Sequence, residues 1–120
     1  MTKSLKVGIG PIPAREVDVS KANVINALLT RPIAVLPTKA GDPIRPFAVG
    51  LWNGIRPLLK PEYSVTTLRR ATGAYLHTKR YHFSVAQPDS VRHDIDGMPA
   101  GEVSEADRLA AREKYKSFGR

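Results

Sequence analysis

Apolar residues recur at helical spacing behind Ser20, Ser64 and Ser104, each a residue suited to capping a helix. After Ser20, Val24, Ile25, Leu28 and Leu29 share one face, and the segment ends before Pro32. After Ser64, Leu68, Ala71, Thr72 and Tyr75 form an inner stripe, with Gly73 weakening the helix by up to ~1 kcal/mol relative to alanine. Thr78 is positioned to cap a second short helix bearing Lys79, Arg80, Tyr81 and Phe83. Ser104, with Asp107 three residues on, is a variant capping box opening a last amphipathic helix, SEADRLAAREKYKSF.

Period-two patterning appears in two places. In FAVGL, Phe47, Val49 and Leu51 alternate with Ala48 and Gly50, which predicts a strand. WNGIRPLL then predicts a short helix interrupted by Pro57. VRHDI and MPAGEV flank Asp96-Gly97, the preferred letters of a two-residue hairpin turn. TRPIAVLPTKAGDPIRP is a proline-punctuated connector, and residues 1–19, with two glycines and two prolines, predict a flexible arm. The expectation is an α+β domain over residues 20–118, with about five short helices and a small sheet that includes a β-hairpin.

Composition sharpens this picture through charge. The 120-residue chain suits one domain and carries a formal net charge of +8. Residues 1–40 and 41–90 each contribute a net +4, while residues 91–120 balance six basic against six acidic side chains. A polyanion-facing surface is therefore expected mainly from the middle of the chain. No apolar run is long enough to span a bilayer, and no signal-like apolar stretch follows the first lysines, so a cytoplasmic protein is expected. The absence of cysteine excludes disulfides, thiolate chemistry and cysteine-based zinc sites.

The acids around the hairpin invite a calcium reading. A loop starting at Asp94 finds Asp96 at its third position and Glu105 at its twelfth, but Met98 at the fifth and Pro99 where the sharp-turn glycine belongs. The hairpin explains the same residues with fewer demands, and no metal is expected. His77 and His82 would diverge by ~140° on one continuous helix, too far to share a metal, although a break near Thr78 loosens that argument. No nucleophile–base pairing or phosphate loop is present, so neither an enzyme nor a cofactor is expected. Arg69, Arg70, Lys79, Arg80 and Arg92, interleaved with Tyr63, Tyr75, Tyr81 and Phe83, are instead the cations and flat rings that hold phosphates and unstacked bases. Tyr75 lies on the apolar stripe and reads as core, whereas Tyr81 lies off it and reads as a binding residue. The start of the helix behind Ser64 adds unpaired amides and a positive dipole end.

RPFAVGL at 45–51, SVTTLRRATGAYLHTKRY at 64–81 and RHDIDGMPAGEV at 92–103 together resemble the ProQ/FinO domain of bacterial RNA chaperones. The last string is the most specific. The resemblance implies a mixed α/β domain that binds structured small RNAs and mRNA 3′ ends, holding a terminator stem through its phosphates and its U-rich tail in a pocket. Carried over, it assigns that 3′-end pocket to Ser64, Val65, Thr66, Arg69, Tyr81 and Arg92, and the hairpin acids Asp94 and Asp96 to structure. Arg45, Arg70, Lys79 and Arg80 are expected along the RNA backbone. Val65, Gly73 and Ala48 stand where many members of the family carry basic residues, each a lost phosphate contact. The resemblance thus implies an RNA chaperone and post-transcriptional regulator, and a monomer is expected because nothing in the sequence suggests a large apolar interface. The rivals are a general basic binder of duplex DNA or RNA and a protein-binding module using the last helix, where Arg108, Arg112 and Lys116 lie on one side.

Overall fold

Residues 11–118 are described in a computed structural model. Among them are five α-helices, α1 (Glu16–Leu28), α2 (Trp52–Ile55), α3 (Val65–Leu76), α4 (Lys79–Ala86) and α5 (Glu105–Ser117). A 3-10 turn, Arg56–Leu58, follows α2 where Pro57 interrupts it. Strands β1 (Ile12–Pro13) and β2 (Pro43–Ile44) pair antiparallel with Ile12 opposite Ile44, and β3 (Val91–His93) pairs with β4 (Pro99–Glu102) in a hairpin. The architecture is the expected α+β one.

Helix α1 begins earlier than expected. Its start is set by Asp18, whose buried carboxylate accepts the Arg15 amide at 2.8 Å; Ser20 lies inside the helix. Asp18 therefore supplies the reach-back half of a capping arrangement that Ser20 seemed to offer. The first half of the expected arm, residues 1–10, lies outside the described residues. Its second half is built into the fold through β1 and the first turns of α1.

On α1, Ala22, Ile25 and Leu28 are buried at helical spacing, and the helix packs on α3, which contributes Leu68, Thr72 and Tyr75. The face is slightly rotated from the expected one, since Val24 is exposed. Ser64 and Thr78 cap α3 and α4 as their sequence positions require, accepting the amides of Thr67 at 3.1 Å and Tyr81 at 3.2 Å. Helix α5 lies along α4, and Phe83 stacks on Tyr115 with ring centroids 4.6 Å apart.

FAVGL is not a strand. Phe47 and Leu51 are buried, but Val49 is 83% exposed and Gly50 has φ of 79°, so the segment turns instead of alternating. Its start still lies beside β3, with the Ala48 amide on the His93 carbonyl at 2.9 Å and the His93 amide on the Pro46 carbonyl at 2.8 Å. The hairpin closes through a longer turn than Asp-Gly alone. Asp94 Oδ1 accepts the amides of Asp96 at 2.9 Å and Met98 at 3.0 Å, and Gly97 takes φ of 81°. Asp94 thus orders the turn, while Asp96 lies on the surface 3.9 Å from Arg31. Among the described residues no group of three or more histidine, cysteine or acidic side chains could hold a metal.

Candidate nucleic-acid interface

The segment entering α2 is held in place by one peptide group at each end. The Phe47 amide donates to the Tyr81 phenol oxygen at 2.8 Å, and the Phe47 carbonyl accepts from Arg92 Nη1 at 2.8 Å. A ring of α4 and a guanidinium of β3 thus fix the same residue, although the three positions are far apart in sequence. The Phe47, Tyr75 and Tyr81 rings close a triangle with centroids 5.8–5.9 Å apart. Tyr81 is only 8% exposed, so the expected free binding ring is largely core, as Tyr75 is. The reason is rotational: the break at Thr78 turns α4 so that Tyr81 faces Phe47.

An edge of Tyr81 nevertheless reaches a cleft of about 380 Å³, which Arg69 and Arg92 also line. Phe47, Leu51, Ile55 and Leu76 supply apolar floor and walls, and Trp52 adds a ring over which the Arg69 guanidinium sits 4.7 Å from the centroid. Burial pushes the Tyr81 phenol up to about 12, against opposing effects of the Phe47 amide and the Arg92 charge. The phenol therefore stays protonated at neutral pH. Its oxygen accepts from Phe47, and among the described residues its hydrogen is donated to no protein acceptor. Two guanidinium groups, a fixed O–H and an indole face are what a phosphate, a ribose hydroxyl and a base require.

Arg92 has a second anchor that sequence reasoning did not find. Its Nη2 donates to Asp107 Oδ2 at 2.8 Å, joining β3 to α5. Asp107 reads from the sequence only as the second half of a cap. Its amide does donate to the Ser104 hydroxyl oxygen at 3.1 Å, but its carboxylate accepts from Arg92. Trp52, the single tryptophan, was also missed, because only the folded chain brings α2 beside α3.

The remaining expected site residues lie elsewhere. Ser64, Val65 and Thr66 form the exposed first turn of α3 and do not line the cleft. Ser64 Oγ serves Thr67, while the amides of Val65 and Thr66, at the helix start, have no intrahelical acceptor. Arg70 is exposed on α3. The Lys79 ammonium sits 5.1 Å from the Tyr115 ring centroid. Arg80 is half-buried, its Nε without a partner among the described residues. Arg45 lines a separate cleft of about 300 Å³ with Gln87, Ser90 and His93. His77 and His82, expected to diverge, have rings 5.9 Å apart, because the break at Thr78 interrupts the helix.

A family model described as the ProQ/FINO family matches residues 22–119. No curated protein matches the chain. Two solved structures share the fold. A FinO-like RNA chaperone from Neisseria meningitidis aligns with a TM-score of 0.57 at 16% identity, covering 98% of this chain and 88% of that one. A ProQ homologue from Legionella pneumophila aligns with a TM-score of 0.60 at 20% identity, covering 89% of this chain and 88% of that one.

Proposed function

Because the chain belongs to the ProQ/FinO family, we propose that it is an RNA-binding chaperone, not an enzyme, that holds structured RNAs by their 3′ ends. Its ligands are small RNAs and mRNA 3′ ends that finish in a terminator hairpin and a single-stranded U-rich tail. The observation that carries this reading is the meeting of Arg69, Tyr81 and Arg92 at one cleft walled by Trp52. In it, the terminal base lies against the indole, the Arg69 guanidinium takes the phosphate and the Tyr81 hydrogen is given to a terminal ribose oxygen. The first turn of α3 is a second station. Ser64 lies about 8 Å along the helix from Arg69 by the usual rise per residue, so the Val65 and Thr66 amides suit another phosphate of the tail.

Arg45, Arg70, Lys79 and Arg80 lie outside the cleft and act on the stem through charge, without reading sequence. The protein works as a cytoplasmic monomer in post-transcriptional regulation. Among the described residues no helix is long and apolar enough to cross a membrane.

Binding of a U-tailed hairpin, the same hairpin with its tail removed, and the hairpin with a 3′-phosphate tests this reading. Tail removal and phosphorylation are expected to weaken binding far more than a change of stem sequence. Equal affinity for all of these contradicts the reading. The net charge of +8 favours a second reading, a general binder of duplexes. On that reading duplex DNA displaces the hairpin, and both are released as salt rises, because charge alone drives association.

A further inference from the structure

We infer that Asp107 is a specificity-determining residue of the Arg69–Tyr81–Arg92 cleft, setting its preference for a strand that ends in a hydroxyl over one that ends in a phosphate. This inference rests on the 3′-end reading above. Arg92 is the residue through which Asp107 acts. Both of its terminal nitrogens are already engaged, Nη1 with the Phe47 carbonyl and Nη2 with Asp107 Oδ2, each at 2.8 Å. The guanidinium side chain is 16% exposed and the carboxylate 54% exposed; Asp107 does not itself line the cleft, but its carboxylate lies 2.8 Å from Arg92, which does.

An arginine placed to capture an anion would ordinarily have its fork open toward the ligand. Here a carboxylate occupies half of that fork. Arg92 therefore enters the cleft as one member of a nearly neutral pair and not as a free cation. A backbone phosphate, with one charge, can still be met by the exposed Arg69 guanidinium above Trp52. A terminal phosphate brings up to two charges close to Asp107, and the like charges repel, an effect that solvent around the exposed carboxylate moderates but does not remove. A terminal hydroxyl carries no such penalty. The acid thus works by exclusion, the usual route to discrimination when two ligands differ by one group.

The acid is placed for this by its own local structure. Asp107 is the third residue of α5, and its amide bonds the Ser104 hydroxyl at 3.1 Å independently of the carboxylate. The helix start therefore needs the backbone of Asp107 but not its charge. An asparagine at this position keeps the cap and an oxygen for Arg92 while removing the negative charge.

The test compares the full chain with Asp107→Asn and Asp107→Glu on one U-tailed hairpin, prepared with a 3′-hydroxyl and with a 3′-phosphate. Asp107→Asn is expected to tighten binding of the phosphorylated hairpin by about fivefold more than it changes binding of the hydroxyl form. Asp107→Glu restores the discrimination. An unchanged ratio of the two affinities in Asp107→Asn, or equal loss of both, overturns the inference and leaves Asp107 a structural anchor. If the unaltered protein already binds both hairpins equally, the 3′-end reading itself fails. Thermal unfolding of each variant accompanies the binding curves, so a loss caused by misfolding is separated from one caused by charge.

Discussion

Tyr81 and Phe47 are joined by a hydrogen bond of 2.8 Å between residues 34 positions apart, and that bond couples the stability of the domain to the shape of its cleft. The phenol oxygen is the acceptor for a buried backbone amide. Tyr81→Phe keeps the ring packing against Phe47 and Tyr75 but leaves that amide unsatisfied. The expected cost is about 1–3 kcal/mol of unfolding free energy, measured by urea denaturation. RNA binding is expected to fall as well. A loss of affinity at unchanged stability would mean that the phenol serves the ligand alone.

Arg69 presents the opposite balance. It is exposed and touches the protein chiefly through the Trp52 face, an interaction of about 0.5–1 kcal/mol. Arg69→Ala is therefore expected to fold almost normally while binding the U-tailed hairpin roughly tenfold more weakly, the usual effect of deleting a charged hydrogen bond. The slope of log affinity against log salt should become shallower by about one unit if a single phosphate contact is lost. Fluorescence anisotropy across a salt series measures both.

The hairpin acids give a third prediction. Asp94 Oδ1 holds two amides of the turn that ends β3, the strand carrying Arg92. Asp94→Ala should lower stability by about 0.5–1.5 kcal/mol, since both amides lose their acceptor but remain open to water. Saturating calcium should leave the melting temperature of the unaltered protein where it was. A calcium-induced rise would revive the metal loop that Pro99 and Met98 argue against.

Histidine titration supplies the fourth. Burial, with His77 and Lys114 nearby, holds the His82 imidazole below its ordinary value of 6.5. Burial and the Arg45 charge do the same for His93. A base with a lowered folded pKa binds fewer protons folded than unfolded. Its contribution is then fully present above pH 6.5 and is lost as pH falls from there through the lowered folded value. Melting temperature should drop on acidification through this window, and His82→Gln should drop less. An equal drop in the variant would assign the effect to the chain's positive charge instead.

The helices were legible because their caps are local. Ser64, Thr78 and Ser104 each bond an amide three residues on, and that chemistry is written in four consecutive letters. The start of α1 was not legible from Ser20, because the helix is capped from inside by Asp18, which reaches back to the Arg15 amide. FAVGL misled because Phe47 and Leu51 are buried for different reasons, one against aromatic rings and the other at the entry to α2. In the candidate site, sequence named Arg69, Tyr81 and Arg92 through the family resemblance. It did not reveal Trp52 or Asp107, whose roles exist only once α2 and α5 are folded against them.

The most direct measurement of the central claim is a photocrosslink from a U-tailed hairpin whose last nucleotide alone is 4-thiouridine. Mass spectrometry of the crosslinked protein should place that nucleotide on peptides containing Trp52 or Tyr81, with yield lost in Arg69→Ala. Crosslinks confined to α5, or spread evenly over the basic surface, would contradict the account.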